Sequence, residues 1–221
     1  MDNYQDTQNY WDKVFDPDDL FDPYRKTGIK ELDESIEWIA TKDSSIIDFG
    51  CGNGRLLFYG LHLGAAKVTG IDVSKNAVAL ANGVAQENGI TQKCAFIKGG
   101  LEKLEALKDT SFEGAILFNI LDNLEPKDTL RLASKAEALL KPKGRLIVKL
   151  NPYLDNDYFQ NNDYYQELSK NFYKEKSGLF LHNIGKEYLL DLFPSLSLQK
   201  EVQVHFKKHK VTNRLYYFTK N

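Results

Sequence analysis

Asp48, Gly50, Gly52 and Gly54 stand at alternate positions in the stretch Ile46-Ile47-Asp48-Phe49-Gly50-Cys51-Gly52-Asn53-Gly54, a spacing that points to a loop receiving a nucleotide-type cofactor. Glycine tolerates positive φ and, having no Cβ, lets backbone N–H groups come close to a ligand. Ile46, Ile47 and Phe49 suit a buried parallel strand, and a helical pattern opens at Arg55, so the loop joins a strand to a helix N-terminus. A second acid, Asp72, closes the next apolar run, Lys67 to Val73, at roughly the 20-residue offset where a carboxylate meets ribose hydroxyls in nucleotide-binding α/β units. Ser74 is the better cap for the helix that starts at Lys75, which leaves Asp72 for the ligand. A dinucleotide fingerprint would need glycine at 55, where this chain has Arg55. Asp48-Phe49-Gly50 also spells a kinase tripeptide, but no other kinase motif accompanies it.

The order D-x-G-x-G-x-G resembles the first motif of the class I S-adenosylmethionine-dependent methyltransferases. The resemblance implies that Asp48 orients the methionine end of S-adenosyl-L-methionine, that Gly50, Cys51, Gly52 and Gly54 form the loop beside it, and that Asp72 with Val73 binds the adenosine ribose. The chemistry agrees: an acid favours the cofactor's ammonium and sulfonium by charge and accepts hydrogen bonds from its diol. Where the family commonly has an acid for the adenine amino group, within G-D-x-x-x-L, this chain reads Gly99-Gly100-Leu101-Glu102-Lys103-Leu104. With Gly100 in place of the acid, adenine recognition falls to backbone at Gly100 and Leu101, with Glu102 as a substitute. Asn119, after the fourth strand, is placed to face the methionine portion or the acceptor. The [D/N/S]-P-P-[Y/F/W] motif of DNA amino-methylating enzymes is not at this point; Asn151-Pro152-Tyr153, after the fifth strand, carries half of it.

Methyl transfer from a sulfonium is an in-line displacement, so the protein chiefly aligns the reactants and excludes water. A base is needed only if the acceptor is protonated. Asn119 and His182 are the candidates for a catalytic part, although His182, for which the sequence assigns no partner, is better suited to a structural one. The chain shows no metal-ligand spacing.

The elements needed to position these residues alternate along the chain. After the strand at Lys67–Val73 come a helix over Lys75–Asn88 ended by Gly89, strands at Cys94–Lys98 and Gly114–Phe118, a helix over Lys127–Leu140 stopped by Pro142 and Gly144, and a fifth strand at Arg145–Leu150. Glu187–Phe193 reads as a helix, and Leu198–Phe206 with Leu215–Thr219 as a terminal antiparallel hairpin. Together with the resemblance this gives an α/β, Rossmann-like three-layer sandwich whose seven-stranded, mostly parallel sheet has the order 3-2-1-4-5-7-6. Residues 1–43 read as an N-terminal helical cap and 44–221 as the cofactor-binding domain, with 153–185 as a lid insertion. Two aromatic, polar stretches, Tyr4 to Tyr24 and Tyr153 to Phe180, are expected either to cover an acceptor or to pack as amphipathic helices on the core.

The 221 residues, 42% of them hydrophobic, suffice for one sizeable core. A formal net charge of −2 provides no global footprint for nucleic acid or membrane. Two cysteines, Cys51 and Cys94, are too few for a disulfide framework, and neither a signal peptide at Met1-Asp2-Asn3 nor a spanning run is visible, so the expectation is a cytoplasmic protein. The expected acceptor is a small molecule. The alternatives are an RNA or protein methyltransferase, for which Lys207, Lys208, His209, Lys210 and Arg214 form a basic cluster, a cofactor-binding module without transfer, and, more distantly, a nicotinamide-dependent oxidoreductase. No residue pattern specifies an oligomeric state.

Overall fold

Asp48 and Ile116 are Cα partners in adjacent parallel strands, which places the acid of the glycine motif at the centre of a seven-stranded sheet. The computed structural model describes residues 4–207 and 209–221. Strand β1 (Ser45–Phe49) lies between β2 (Lys67–Asp72) and β4 (Phe112–Phe118); β3 (Cys94–Lys98) extends the sheet beyond β2 and β5 (Leu140–Leu150) beyond β4, all parallel. The terminal hairpin, β9 (Leu196–Phe206) and β10 (Val211–Lys220), joins antiparallel with β10 against β5. The order is β3-β2-β1-β4-β5-β10-β9, which is 3-2-1-4-5-7-6 once the three strands of a separate small sheet are set aside.

Alternation along the central strands sends successive side chains to opposite faces, and both faces are covered, as a parallel sheet requires. Ile47, Ala115, Leu117 and Val148 pack on one side with Leu132, Ala133 and Ala136 of α6 (Pro126–Leu139) and with Leu189 of α8 (Lys186–Asp191). Ile46, Val68, Ile116 and Ile147 pack on the other with α2 (Lys30–Ile39), α3 (Arg55–His62) and α4 (Lys75–Glu87). Ile36 and Ile39 of α2 are buried in that layer, so this helix belongs to the core. Helix α1 (Gln5–Val14) instead crosses the carboxyl ends of the strands, and the short α5 (Leu101–Glu105) follows β3.

Two expectations need correction. β5 starts at Leu140 and not at Arg145; Phe112 pairs with Leu140 and Gly114 with Arg145, so the residues between form an irregularity that takes up Pro142 and the positive φ of Lys143. The 153–180 segment is not a pair of amphipathic helices. It holds one short helix, α7 (Asn156–Gln160), and an antiparallel three-stranded sheet of β6 (Tyr165–Ser169), β7 (Phe172–Glu175) and β8 (Phe180–His182). Its aromatics close on one another: Phe159 stacks on Tyr173 with centroids 3.8 Å apart, in a cluster with Leu181. Among the described residues no helix is long and apolar enough to cross a membrane.

Candidate cofactor and acceptor site

The carboxyl ends of β1, β2 and β4 open into a cavity of about 650 Å³. Its floor is Phe49, Gly50, Gly52, Asp72 and Val73; one side is Gly99, Gly100, Leu101 and Glu102, the other Phe118, Asn119 and Ile120. Tyr4, Thr7, Gln8 and Trp11 of the N-terminal segment, with Phe15, complete the wall from above.

The glycine loop works differently from the expectation that its N–H groups reach a ligand. The N–H groups of Gly50 and Cys51 both donate to Ile71 O, at 2.8 and 3.2 Å, and that of Gly54 donates to Cys51 O at 3.0 Å. The Gly52 N–H donates to Asp72 Oδ2 at 2.8 Å. The donors that would cradle a phosphate are therefore spent inside the protein, and what the glycines supply is positive φ and close approach. An ideal Cβ on Gly50 would lie 3.2 Å from the Ile120 side chain, and one on Gly52 3.0 Å from the Phe15 ring.

Asp72 is 8% exposed and lines the cavity floor, with Oδ1 accepting from Ser74 N at 2.9 Å. Burial holds its carboxyl above the usual range, opposed by the N–H groups of Ser74 and Gly52, with the charge of Asp12 adding to the rise. Ser74 caps α4 as expected, its Oγ accepting from Ala77 N. Gly100 is in the wall, and its N–H donates to the carboxylate of the exposed Glu102, which also borders the cavity.

Asp48, Cys51 and Gly54 are not in the wall. Asp48, 2% exposed, lies behind the loop with Oδ1 lacking any hydrogen-bond partner; burial raises its carboxyl well above the usual range, Asp72 adds to this and Lys149 opposes it. Cys51 packs its sulfur against Gly70, and Gly54, at φ +75°, makes room for Phe96. Asn119 is in the wall at φ +51°, a left-handed turn position. Its side chain is committed elsewhere: Nδ2 donates to Asn151 Oδ1 at 2.8 Å and Oδ1 accepts from Asn213 at 3.4 Å. Asn151, the first residue of the Asn-Pro-Tyr stretch, thus braces the wall. His182 does not line the cavity. It packs on Tyr188 and Phe172 with Nδ1 3.4 Å from Thr129 Oγ1, and burial pushes its imidazole down to about 4, a setting that suits a structural part.

Residues of the 153–180 insertion do not line the cavity either; Phe180 meets Tyr4 at 5.9 Å, so the insertion supports α1 from outside. In the basic cluster Lys208 lies outside the described residues, and Arg214 turns inward to donate to Asn151 O and Ile184 O. Pattern reading missed Lys149, 9% exposed among Asp48, Asp122 and the rings of Phe118 and Phe206, whose ammonium burial pushes down to about 8. A lysine between Val148 and Leu150 in an apolar strand was the available signal.

Residues 40–210 match the methyltransferase domain family. Among curated proteins the chain is 32% identical over 136 residues to the ribosomal protein L11 methyltransferase of Vibrio parahaemolyticus, covering 60% of this chain and 42% of that one. It is 35% identical over 114 residues to that of Haemophilus influenzae, covering 50% and 36%. The chain thus spans less than half the length of these relatives. Among solved structures, the 1,6-didemethyltoxoflavin-N1-methyltransferase of Burkholderia thailandensis, with its substrate and S-adenosylhomocysteine bound, superposes with a TM-score of 0.68 at 17% identity over 87% of this chain and 77% of that one. A S-adenosylmethionine-dependent methyltransferase from Methanosarcina mazei gives 0.69 at 20% identity over 84% and 96%. At these identities the structural likeness shows the fold. The fold, the site and the match over residues 40–210 together place the chain in the class I S-adenosylmethionine-dependent methyltransferase family, whose cofactor is S-adenosylmethionine.

The site fits that cofactor. Asp72 is part of the cavity floor, Asp48 carries an orphaned buried oxygen behind the glycine loop, and the spent loop donors suit a ligand without phosphates.

Proposed function

We propose that the protein transfers the methyl group of S-adenosylmethionine to a small-molecule acceptor. The observation that carries this reading is the cavity itself, which combines an acid at the ribose position with a roof of N-terminal aromatic side chains. Asp72 accepts from the ribose hydroxyls, Val73 lies beside them, and Gly100 and Leu101, with Glu102, face the adenine. Asp48 favours the methionine ammonium by charge from behind Gly50 and Gly52, and Asn119 borders the transfer point. The cofactor supplies an electrophilic methyl on a sulfonium. This chain's residues hold it, align the acceptor and keep water out, with Trp11, Phe15 and Phe118 as the apolar walls. The segment from Tyr4 to Phe15 then serves as the cap, while α2, expected with it in a 1–43 cap, packs in the core of the transfer domain. The free thiols of Cys51 and Cys94 are in keeping with the cytoplasm.

A protein acceptor is the second reading, favoured by the names of the curated relatives. The experiment is incubation with methyl-tritiated S-adenosylmethionine and, separately, a protein-free cell extract or ribosomal protein L11. Label in the small-molecule pool is the expected result. Label only in L11 would replace the acceptor, and S-adenosylhomocysteine binding with no label in either would leave a binding module.

A further inference from the structure

Helix α1 is tied down at both ends across the mouth of the cavity. At its start the Tyr4 hydroxyl donates to Asp128 Oδ2 at 2.8 Å and accepts from the Glu125 N–H at 3.0 Å. At its last turn Asp12 Oδ1 accepts from the Ser74 hydroxyl at 2.7 Å, and Asp12 O accepts from Asn76 Nδ2 at 2.7 Å. The flanking Trp11 and Phe15 are cavity wall, and Phe15 is the ring that meets Gly52. A cap over the acceptor alone would not touch the glycine loop or the ribose corner. This one does both.

Ser74 joins the tie to the binding residues. Its hydroxyl donates to Asp12 and accepts from Ala77 N, while its backbone N–H donates to Asp72 Oδ1. The Asp12 carboxylate also sits at the N-terminus of the 13-residue α4, where a negative charge is favoured. Asp12, Ser74 and Asp72 therefore form one chain of contacts from the roof to the cavity floor.

We propose that Asp12 is a positioning residue that pins α1 over the ribose corner through Ser74, so that this contact must open for the cofactor to pass in or out. The proposal rests on the cofactor-binding reading above. It makes α1 a gate for the cofactor and not merely a cover for the acceptor.

Stopped-flow fluorescence with S-adenosylhomocysteine tests it, because Trp11 on α1 reports directly on the cavity. In Asp12→Ala, dissociation should quicken by about tenfold while association is not slowed, the pattern of a weakened gate. Asp12→Asn keeps an acceptor for the Ser74 hydroxyl and should fall between the two, which also covers the case that the alanine variant does not fold. The second readout is pH. The charge acting on Asp72 is that of Asp12 from α1; Asp48 of β1 and Cys51 of the loop are in turn raised by Asp72, and Lys98 and Glu102 line the same cavity. Removing the Asp12 charge makes Asp72 easier to ionise, so the acid limb of S-adenosylhomocysteine binding should move to lower pH in Asp12→Asn, a shift that places the Asp12 charge beside the binding acid, while the dissociation rate reports the gate. Unchanged dissociation in both variants, or slower association with dissociation unchanged, would overturn the proposal. Failure of the wild type to bind S-adenosylhomocysteine would overturn the functional reading itself, and the gate with it.

Discussion

The Gly52 N–H donates to Asp72 Oδ2 at 2.8 Å across 20 residues of sequence, so the glycine loop and the acid at the end of β2 are one structural unit. The loop takes its shape from the carboxylate, and the carboxylate takes its direction from the loop. A ligand that bonds Asp72 therefore meets an acceptor already oriented, with less ordering left to be done on binding.

Asp72→Ala should consequently have two effects. Loss of the charge-assisted bonds to the ribose should weaken S-adenosylhomocysteine binding by roughly 1–3 kcal/mol, measured by calorimetry. The Gly52 and Ser74 N–H groups also lose their acceptor, so urea unfolding should show a stability loss of order 1 kcal/mol. Unchanged affinity in a folded variant would move the ribose contact elsewhere.

Glycine substitutions should separate strain from crowding. Gly54 and Gly89 both have positive φ, +75° and +64°, and alanine at either carries the left-handed penalty of roughly 1–2 kcal/mol. Only at Gly54 would the new Cβ meet an obstacle, lying 2.6 Å from the Phe96 ring, whereas nothing is within 4 Å at Gly89. Gly54→Ala should be the more destabilising in urea titration. Equal losses would show that the Phe96 contact is relieved at no cost.

His182 should make stability pH-dependent without affecting transfer. Its imidazole falls from 6.5 to about 4 on burial, so the folded state holds it neutral. That stability is fully present above about 6.5 and is lost as pH falls toward 4, because the unfolded chain takes up the proton first. The loss should be of order 1–3 kcal/mol. In His182→Leu the melting temperature should depend less on pH across this window, with S-adenosylhomocysteine affinity unchanged. A pH dependence identical to that of the wild type would assign the effect to other groups.

The parts of the molecule that could be read in advance are those governed by short-range pattern. β3 was read at Cys94–Lys98, the Ser74 cap from a single residue type, and the terminal hairpin from alternation. The small sheet of β6 to β8 escaped because strands of three to five residues, rich in tyrosine and phenylalanine, satisfy neither helical nor strand periodicity for long enough to decide. In the site, the acids and glycines announced themselves by spacing, but which of them form wall and which lie behind it depends on strand facing and register. Asp48 shares its face with Ile46 and so points behind the loop. Asp12 carried no signal, because its partner Ser74 is 62 residues away and is met only through the packing of α1 on α4.

Isothermal calorimetry with S-adenosylhomocysteine and, in parallel, NAD tests the central claim most directly. The N–H groups of Gly50, Cys51, Gly52 and Gly54 are spent inside the protein and not offered to a pyrophosphate, while Asp72 and the roofed cavity suit a phosphate-free nucleoside. Saturable one-site binding of S-adenosylhomocysteine, weakened in Asp72→Ala, with no binding of NAD, is the predicted result. Binding of NAD in place of S-adenosylhomocysteine would contradict the account.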